Sequence, residues 1–563
     1  MESIKCVRII LQHIELPKGK SPACGEGLHK LYLPSEMSQD KEKKALKPRR
    51  PAAKSILLPI LMLGFALRVL KLGSQELSYD ETVSFFIASQ DVRDMLPYLL
   101  KAHFEHPPLY YLLLQPWIRL LGESEFILRF PSVFFSVLSI PLAFHLGRKL
   151  FDEPLGNLLG FILALSPFQI YYAQDTRMYT LATFLGLLSV LLLIEFLREG
   201  KWALGVGYLT VCFLMSMTHY YTILLILFQD VYLFLLWRHY KPQSTKLFLL
   251  QGILALPLFA WVLLAAGFRE SLRASTTAYL PRPFTQLLND LKISFIEFSL
   301  GRELELQLAS CLLLGFLLLL LLGVLGLHKA SSQTNPRKCP RALAPKELFL
   351  LLYFFLPLLV ATIMPFPLRS RLLLPITPAY YLLLSLGIVT LKNGPISPQI
   401  ANLDATKRVS IKAGKMLSTL SLLFIVGAWF YSLGYYFRSY TKSDYKGAMQ
   451  LIQRDTRPGD VIILDGPWQE LLFRYYYEGA LPHLCIPERV PPALDEQEAE
   501  PTLERTAKEY SRIWLVLSAE DIADPENFVE GWLRRHARVT LDREFGNAHL
   551  LLFELPQNGR TES

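Results

Sequence analysis

The chain contains a series of apolar blocks, each of about 17 to 22 residues, which short polar stretches separate. A helix of roughly 20 apolar residues is long enough to cross the hydrocarbon core of a bilayer. Of the 563 residues, 52% are hydrophobic and 19% are charged, whereas about 25% charged residues are usual in soluble domains. These values exclude a disordered chain, a secreted disulfide scaffold and an ordinary cytosolic enzyme. The sequence therefore predicts an α-helical, polytopic membrane protein.

About eleven transmembrane helices are predicted from these blocks. They lie at about residues 55–72, 130–150, 155–171, 180–198, 202–218, 221–238, 247–267, 306–327, 347–364, 371–391 and 416–436. The loops assigned to the cytoplasm all carry Lys or Arg, as the positive-inside rule requires when the N-terminus is inside. Membrane topology therefore accounts for the net charge of +9, and no nucleic-acid partner is predicted.

The chain is predicted to have three parts. Residues 1–54 are a disordered, basic cytoplasmic arm without a signal peptide, in which Met37 is an alternative translation start. Residues 55–436 form the transmembrane domain, with a large first outer loop at residues 73–129. Residues 437–563 form a small extracytoplasmic domain, and the protein is placed in the plasma (inner) membrane.

An apolar helix at residues 107–121 is predicted to lie along the outer surface, because its prolines and Trp117 suit an interfacial element. If this helix crossed the membrane instead, the basic pair Arg148-Lys149 would lie outside. The interfacial placement keeps that pair in the cytoplasm.

The C-terminal part is predicted to be an α/β domain. Apolar runs at residues 461–464 and 513–517 predict strands, and helical periodicity occurs at residues 445–454 and 525–536. The acidic stretch at residues 495–500 is predicted to be a solvated loop.

Charged residues at the outer ends of the spans are site candidates, because ionisable groups beside a bilayer are costly to desolvate. Tyr79-Asp80-Glu81 follows the first span, although an adjacent acidic pair is commonly solvated surface. Glu105-His106 precedes a double proline, and carboxylate and imidazole suit a divalent cation. Helix capping beside interfacial aromatic residues is the alternative for that pair.

Three further clusters lie at the outer ends of later spans. They are Asp175-Thr176-Arg177-Met178-Tyr179, His219-Tyr220 and Arg369-Ser370-Arg371. Paired arginines are typical of a phosphate clamp, because guanidinium donors match phosphate oxygens. A local ion pair and snorkelling arginines are the competing interpretations.

Taken in order, these motifs resemble a known family. The motifs are Asp80-Glu81, Glu105-His106-Pro107-Pro108-Leu109-Tyr110-Tyr111, Gly122-Glu123-Ser124-Glu125-Phe126-Ile127-Leu128-Arg129-Phe130-Pro131-Ser132, Leu165-Ser166-Pro167 and Gln174-Asp175-Thr176-Arg177-Met178-Tyr179. The set resembles the GT-C glycosyltransferases, and within them the bacterial branch related to protein O-mannosyltransferases and the lipid A aminoarabinose transferase. The resemblance covers about residues 55–240 well and the remaining spans only in layout.

The resemblance implies a polyprenyl-phosphate sugar as donor, Asp80 as the catalytic carboxylate and Glu81 as its neighbour. The residues implied at the donor phosphate are Arg177, Arg369 and Arg371. Those implied at the substrate are Tyr79, His106, Asp175, Tyr179 and Tyr220. Some relatives bind a metal, for which the corresponding residues here are Glu105 and His219. No nucleotide cofactor is implied, and no Gly-rich phosphate loop occurs in the sequence.

The implied function is an inverting glycosyltransferase that moves a sugar to a glycan, lipid or protein acceptor at the outer face of the plasma membrane. The alternative is a transporter or flippase of lipid-linked sugars, whose charges should lie at mid-membrane in broken helices. A non-catalytic scaffold has no use for acids clustered beside paired arginines. The placement of these charges at span ends favours the enzyme.

Overall fold

The computed structural model describes residues 56–101, 106–264, 283–332, 346–364, 368–393, 404–440, 444–488, 494, 496–518, 524, 526–546 and 548–556. The predicted arm at residues 1–54 and the predicted metal ligand Glu105 lie outside these ranges. The described residues belong to one compact unit that begins at Ile56.

Most of this unit is helical. The helices that precede the C-terminal sheet are α1 (Leu57–Val69), α2 (Tyr79–Ser89), α3 (Val92–Lys101), α4 (Leu109–Leu121), α5 (Glu125–Leu150), α6 (Glu153–Leu165), α7 (Pro167–Ala173), α8 (Tyr179–Glu199), α9 (Trp202–Ser216), α10 (Ile223–Leu235), α11 (Trp237–Leu264), α12 (Phe284–Leu300), α13 (Leu306–Ser332), α14 (Lys346–Ile363), α15 (Thr377–Asn393), α16 (Asp404–Arg438) and α17 (Tyr445–Asp455). Short 3₁₀ segments at Tyr220–Thr222 and Ser370–Ile376 precede α10 and α15.

Among the described residues, six helices are long and apolar enough to cross a membrane, or seven if the bent pair α6 and α7 is one span. Three shorter apolar helices, at Leu57–Val69, Trp202–Ser216 and Tyr220–Leu235, coincide with further predicted spans. These helices account for ten of the eleven predicted blocks, and the remaining block, at residues 247–267, overlaps α11. The integral membrane character is thereby confirmed. The count of eleven spans stays a prediction, because a 13-residue helix is only about 20 Å long.

The bend between α6 and α7 is 55°. Pro167 occupies the first turn of α7, and a proline at this position cannot continue the hydrogen bonding of α6. Arg68 of α1 is fully buried and donates to the carbonyl oxygens of Leu163 and Ala164, at 3.0 and 2.9 Å. The guanidinium thus satisfies backbone groups that the break leaves without helical partners.

The span Ser370–Lys392, which consists of a 3₁₀ segment and most of α15, lies at the centre of the bundle, since 89% of its most apolar 18-residue stretch is buried. It packs closely on α13 through paired glycines. A Cβ atom at Gly323 would lie 2.0 Å from the carbonyl oxygen of Leu383, and one at Gly387 would lie 2.1 Å from that of Leu319. Only glycine permits this backbone approach.

The first outer loop contains more helix than the sequence predicts. The predicted helix at residues 107–121 is present as α4, but α2 and α3 precede it, and α5 begins at Glu125 rather than at residue 130. Helix α2 starts at a capping box, in which Ser78 and Glu81 exchange hydrogen bonds. Its membrane position stays a prediction, as does that of α4.

The tail, which we define as residues 440–556, contains a five-stranded sheet. Its remaining elements are β1 (Asp460–Leu464), α18 (Gln469–Tyr476), β2 (His483–Cys485), α19 (Glu496–Glu509), β3 (Arg512–Leu517), α20 (Phe528–His536), β4 (Arg538–Phe545) and β5 (Ala548–Glu554). The strand order is β2-β1-β3-β5-β4, with β1 parallel to β2 and β3, and β5 antiparallel to β3 and β4.

The predicted strands at residues 461–464 and 513–517 form β1 and β3, which are buried throughout because helices cover both faces of the sheet. The small sheet at the C-terminus is thereby confirmed. The prediction of a loop at residues 495–500 is wrong for Glu496 onward, because α19 begins there. Its apolar residues Ala499 and Leu503 face the sheet, so burial of one side stabilises a helix whose composition is acidic.

Candidate active site

Asp80 lies in the first turn of α2, where the helix dipole favours a carboxylate. Its Oδ2 accepts a hydrogen bond of 2.7 Å from Nη1 of Arg371, and the Asp80 side chain keeps 32% exposure. Burial alone would raise the pKa of Asp80, but the charges of Arg177 and Arg371, the Arg371 hydrogen bond and the charge of Arg369 lower it. Asp80 is therefore an ionised carboxylate that a substrate can reach.

Arg177 holds the same turn from the segment between α7 and α8. Its Nη1 donates to the backbone carbonyl of Asp80 at 3.1 Å and to the Ser84 hydroxyl at 3.2 Å. Its main-chain carbonyl accepts from the Ser132 hydroxyl at 3.1 Å. Arg177 is only 5% exposed, so its charge acts on Asp80 through a poorly solvated region.

Glu81 has a different environment from Asp80, although the two are adjacent. It is fully buried, and Arg129 donates to both of its carboxylate oxygens, at 2.7 and 3.0 Å. The backbone N–H of Thr176 and that of Ser78 also donate to it, at 3.0 and 2.8 Å. This carboxylate therefore joins the start of α2 to Thr176, in the segment between α7 and α8.

Arg129 was not predicted to be a site residue, although it lies in one of the motifs quoted above. Besides Glu81, it donates to the carbonyl oxygens of Leu72, Gln75 and Glu76, at 2.9, 2.7 and 2.6 Å. The guanidinium therefore fixes the whole segment that connects α1 to α2. The sequence signal that could have identified Arg129 is its charge, which lies within a long and largely apolar helix.

His106 and His219 stack beside these arginines, with ring centroids 4.3 Å apart. Burial, followed by the charges of Arg177 and Arg371, lowers the pKa of His219 to about 3. Burial and the same charges, with that of His219, hold the pKa of His106 well below its ordinary value. Both rings are thus neutral at physiological pH.

The tautomer of His219 follows from its backbone contact. Its Nδ1 accepts the N–H of Tyr221 at 3.1 Å, so the single proton of the neutral ring lies on Nε2. Nε2 is buried and has no hydrogen-bond partner among the described residues. In this tautomer Nε2 is a donor and offers no lone pair to a cation.

The structure brings most of the sequence-predicted residues together. The Tyr179 ring lies 5.9 Å from that of His219 and 6.0 Å from the guanidinium carbon of Arg371. Tyr220 lies 6.4 Å from His106, ring to ring. Asp175 stands two residues before Arg177 and accepts its N–H through the main-chain carbonyl, at 2.8 Å. Tyr79 is 43% exposed, and Arg369 is exposed at the edge of the same region.

Helix α12 contributes residues that the sequence did not predict, because no span or site was assigned at residues 284–300. Glu297 accepts a hydrogen bond from Ser370, the residue before Arg371. Arg302 lies 3.7 Å from Glu297 and places its guanidinium 5.4 Å from the Tyr171 ring centroid. The segment that presents Arg371 is therefore held from α12.

Part of the chain matches a known protein family. Residues 105–264 match the family model of the dolichyl-phosphate-mannose-protein mannosyltransferases. No curated protein sequence matches the chain.

Three solved structures share the fold. Apo ArnT from Cupriavidus metallidurans has 13% identity and a TM-score of 0.53, over 89% of this chain and 98% of that chain. The same ArnT bound to undecaprenyl phosphate has 14% identity and a TM-score of 0.51 over the same shares. The apo oligosaccharyltransferase from Archaeoglobus fulgidus has 12% identity and a TM-score of 0.50, over 83% of this chain and 70% of that chain.

The described fold and the matched segment lead to one conclusion. The resemblance of this chain to the GT-C glycosyltransferases, in the branch related to protein O-mannosyltransferases and the lipid A aminoarabinose transferase, is confirmed.

Proposed function

We propose that this protein is an inverting glycosyltransferase that moves a sugar from a polyprenyl-phosphate donor to an acceptor hydroxyl or amine at the outer face of the plasma membrane. The observation that carries the proposal is the reachable Asp80 carboxylate, which is ion-paired with Arg371 and lies beside the buried Arg177. A base next to cations is the arrangement that transfer from a phosphate leaving group requires.

In the proposed reaction, Asp80 removes the proton from the acceptor as that atom attacks the anomeric carbon. Arg371 occupies Oδ2, while the described residues offer Oδ1 no hydrogen bond, so Oδ1 is the oxygen that takes the proton. The bond from the anomeric carbon to the phosphate oxygen breaks, and its electron pair leaves with the phosphate. Attack opposite the leaving group inverts the anomeric configuration.

The arginines would stabilise the phosphate as its negative charge grows. Arg371 Nε is buried without a hydrogen-bond partner among the described residues, so this N–H remains available to a phosphate oxygen. Arg177 and Arg369 add positive charge near Asp80. The Nε2 donor of His219 and the rings of Tyr179 and Tyr220 would then contact the sugar or acceptor.

Glu81 has a positioning role in this proposal rather than a chemical one. Its carboxylate is saturated by Arg129, Thr176 and Ser78, and none of its surface is exposed. A group in this state neither reaches a substrate nor takes up a proton without breaking a buried ion pair.

The donor class is supported by what related folds bind. ArnT has been crystallised with undecaprenyl phosphate, and the oligosaccharyltransferase of Archaeoglobus fulgidus with a tethered acceptor peptide. The direct contacts between the tail and residues 75–77 support a tail on the same side of the membrane as Asp80. The outer side is the one that the positive-inside rule favours.

A metal at Glu105 and His219 stays a prediction. One structure of the Archaeoglobus fulgidus oligosaccharyltransferase contains zinc and sulfate. The described residues do not fit a cation, because His219 presents a donor and no group of three ligating side chains occurs among them. Chelation followed by return of a divalent metal tests the prediction: transfer that is lost and then restored supports it, and unchanged turnover removes it.

The central experiment uses the full chain in vesicles with a radiolabelled polyprenyl-phosphate sugar. We expect the label to become covalently bound to an acceptor, and Asp80→Asn to slow the formation of that product at least about 100-fold. A flippase would instead move intact donor between leaflets without forming a new glycosidic bond. If Asp80→Asn keeps full transfer, the proposed base is wrong.

A further inference from the structure

The tail touches the segment that leads directly into the helix of Asp80. The backbone N–H of Leu77 donates to the hydroxyl of Tyr476 in α18 at 2.7 Å, across 399 residues of sequence. The same hydroxyl lies 3.5 Å from Glu125, to which it donates. One phenol therefore bridges the residue before the N-cap of α2 and the first residue of α5.

The two residues before Leu77 are also bound to the tail. The Glu76 carboxylate accepts the backbone N–H groups of Tyr445 and Lys446, at 2.5 and 2.6 Å, and so caps the start of α17. The Gln75 side chain donates to the carbonyl oxygen of Tyr440 at 3.0 Å. Three consecutive residues thus take partners from the tail within five residues of Asp80.

Apolar packing supports these hydrogen bonds. Leu77, Phe85 and Leu128 form a buried cluster against which Tyr475 packs, and the rings of Phe85 and Tyr475 meet edge to face at 5.1 Å. The Tyr475 hydroxyl donates to the carbonyl oxygen of Glu123 at 2.5 Å. Helix α18 therefore covers the side of α2 that carries Phe85.

We propose that Tyr476 is a positioning residue for Asp80, and that the tail is a working part of the catalytic assembly rather than an appended acceptor-binding module. This inference rests on the proposed function, in which Asp80 is the base. Arg129 fixes the segment at residues 72–76 from the bundle side, and Tyr476 binds the next residue, Leu77, from the tail side.

The physical reason lies in the geometry of the helix start. Asp80 stands in the second position of α2, so the direction of its side chain depends on where the chain enters the helix. Leu77 is the last residue before the N-cap Ser78, and its N–H has Tyr476 as its acceptor. Without that acceptor, the direction in which the chain enters α2 is no longer fixed. The Asp80 carboxylate then moves relative to Arg371. A displacement of about 1 Å can lower a rate roughly 100-fold.

Tyr477 provides a matched control. Its hydroxyl accepts the backbone N–H of Leu481 at 3.3 Å, wholly within the tail, and its side chain is buried to the same extent as that of Tyr476. Tyr476→Phe and Tyr477→Phe both remove one hydroxyl acceptor of a backbone N–H and keep the ring. Only the first of them removes a contact with the segment that leads to Asp80.

The test compares the full-length wild type, Tyr476→Phe, Tyr477→Phe and Asp80→Asn in the transfer assay, with kcat, donor KM and the pH profile of kcat measured for each active form. We expect Tyr476→Phe to lower kcat about 10- to 100-fold with little change in donor KM. We also expect the acid limb of its kcat–pH profile to move to higher pH, because a displaced Asp80 lies farther from the positive charge of Arg371 and its pKa rises. Tyr477→Phe should change neither quantity.

Two results overturn the inference while leaving the proposed function intact. In the first, Asp80→Asn is inactive but Tyr476→Phe keeps the wild-type kcat and acid limb. In the second, both Phe variants lower kcat equally, which assigns the effect to the fold of the tail. Full activity of Asp80→Asn overturns the proposed function itself.

Discussion

Arg371 and Asp80 form an ion pair of 2.7 Å across 291 residues of sequence. The acid lies in the first outer loop, and the arginine lies at the start of the central, deeply buried span. The site therefore exists only when the first loop and the last third of the bundle are assembled. Asp91 and Arg119 form an ion pair of the same length at a more exposed position, which gives each variant of the Asp80–Arg371 pair a matched control.

Asp80→Asn should lower kcat about 10²- to 10⁴-fold, because the amide cannot accept the acceptor's proton. The substitution keeps the size of the side chain and a hydrogen-bond acceptor for Arg371. Asp91→Asn removes the exposed acid and should leave transfer at the wild-type rate. Steady-state transfer with a radiolabelled donor measures both, and equal rates for the two variants would contradict a chemical role for Asp80.

Arg371→Gln should move the acid limb of the kcat profile to higher pH. Asp80 acts in its ionised form, and the charge of Arg371 is one of the causes that lower its pKa. Removing that charge raises the pKa, so protonation inactivates the base at a higher pH than in the wild type. Arg119→Gln should leave the limb in place. An unmoved limb in Arg371→Gln would show that the limb reports another group.

Glu81→Gln should destabilise the protein by roughly 3–5 kcal/mol, since it leaves the buried Arg129 guanidinium without its counter-charge. Asp91→Asn should cost about 0.2–1 kcal/mol, because its ion pair is solvated. Thermal unfolding in detergent compares the two. Similar midpoints for both variants would contradict the positioning role given to Glu81.

Contact between the tail and the first loop should weaken as pH rises. Burial raises the pKa of Glu76 to about 7, despite the backbone N–H groups of Lys446 and Tyr445, while Asp444 adds to the rise. Because the docked value exceeds the ordinary one of 4.5, the contact is strongest below about pH 4.5 and loses stability as pH rises towards 7.

Glu76→Gln stays neutral at every pH and should therefore reduce the difference between unfolding midpoints measured near pH 5 and pH 8. Glu123→Gln, at an exposed position of the same loop, should retain the wild-type difference. If Glu76→Gln retains it too, the carboxylate does not control the docking.

The sequence predicted the helices of the bundle because apolar length alone identifies a segment that can cross a bilayer. It also selected residues that the fold brings together, such as Asp80, Arg177 and Arg371. Helix α12 escaped prediction because its polar residues interrupt the apolar pattern, and α19 because its acidic composition hides a buried stripe. The pairing of Glu81 with Arg129 escaped because the two residues lie 48 positions apart, a distance that periodicity does not report.

The contact between Leu77 and Tyr476 sets an order on biosynthesis. Leu77 leaves the ribosome early, whereas its partner Tyr476 follows 399 residues later. At roughly 5–20 residues per second, that delay is about 20 to 80 s. A nascent chain in the translocon therefore exposes Asp80 and Glu81 well before Tyr476 can bind Leu77. Products that end before about the last hundred residues should accumulate as inserted but inactive polypeptides.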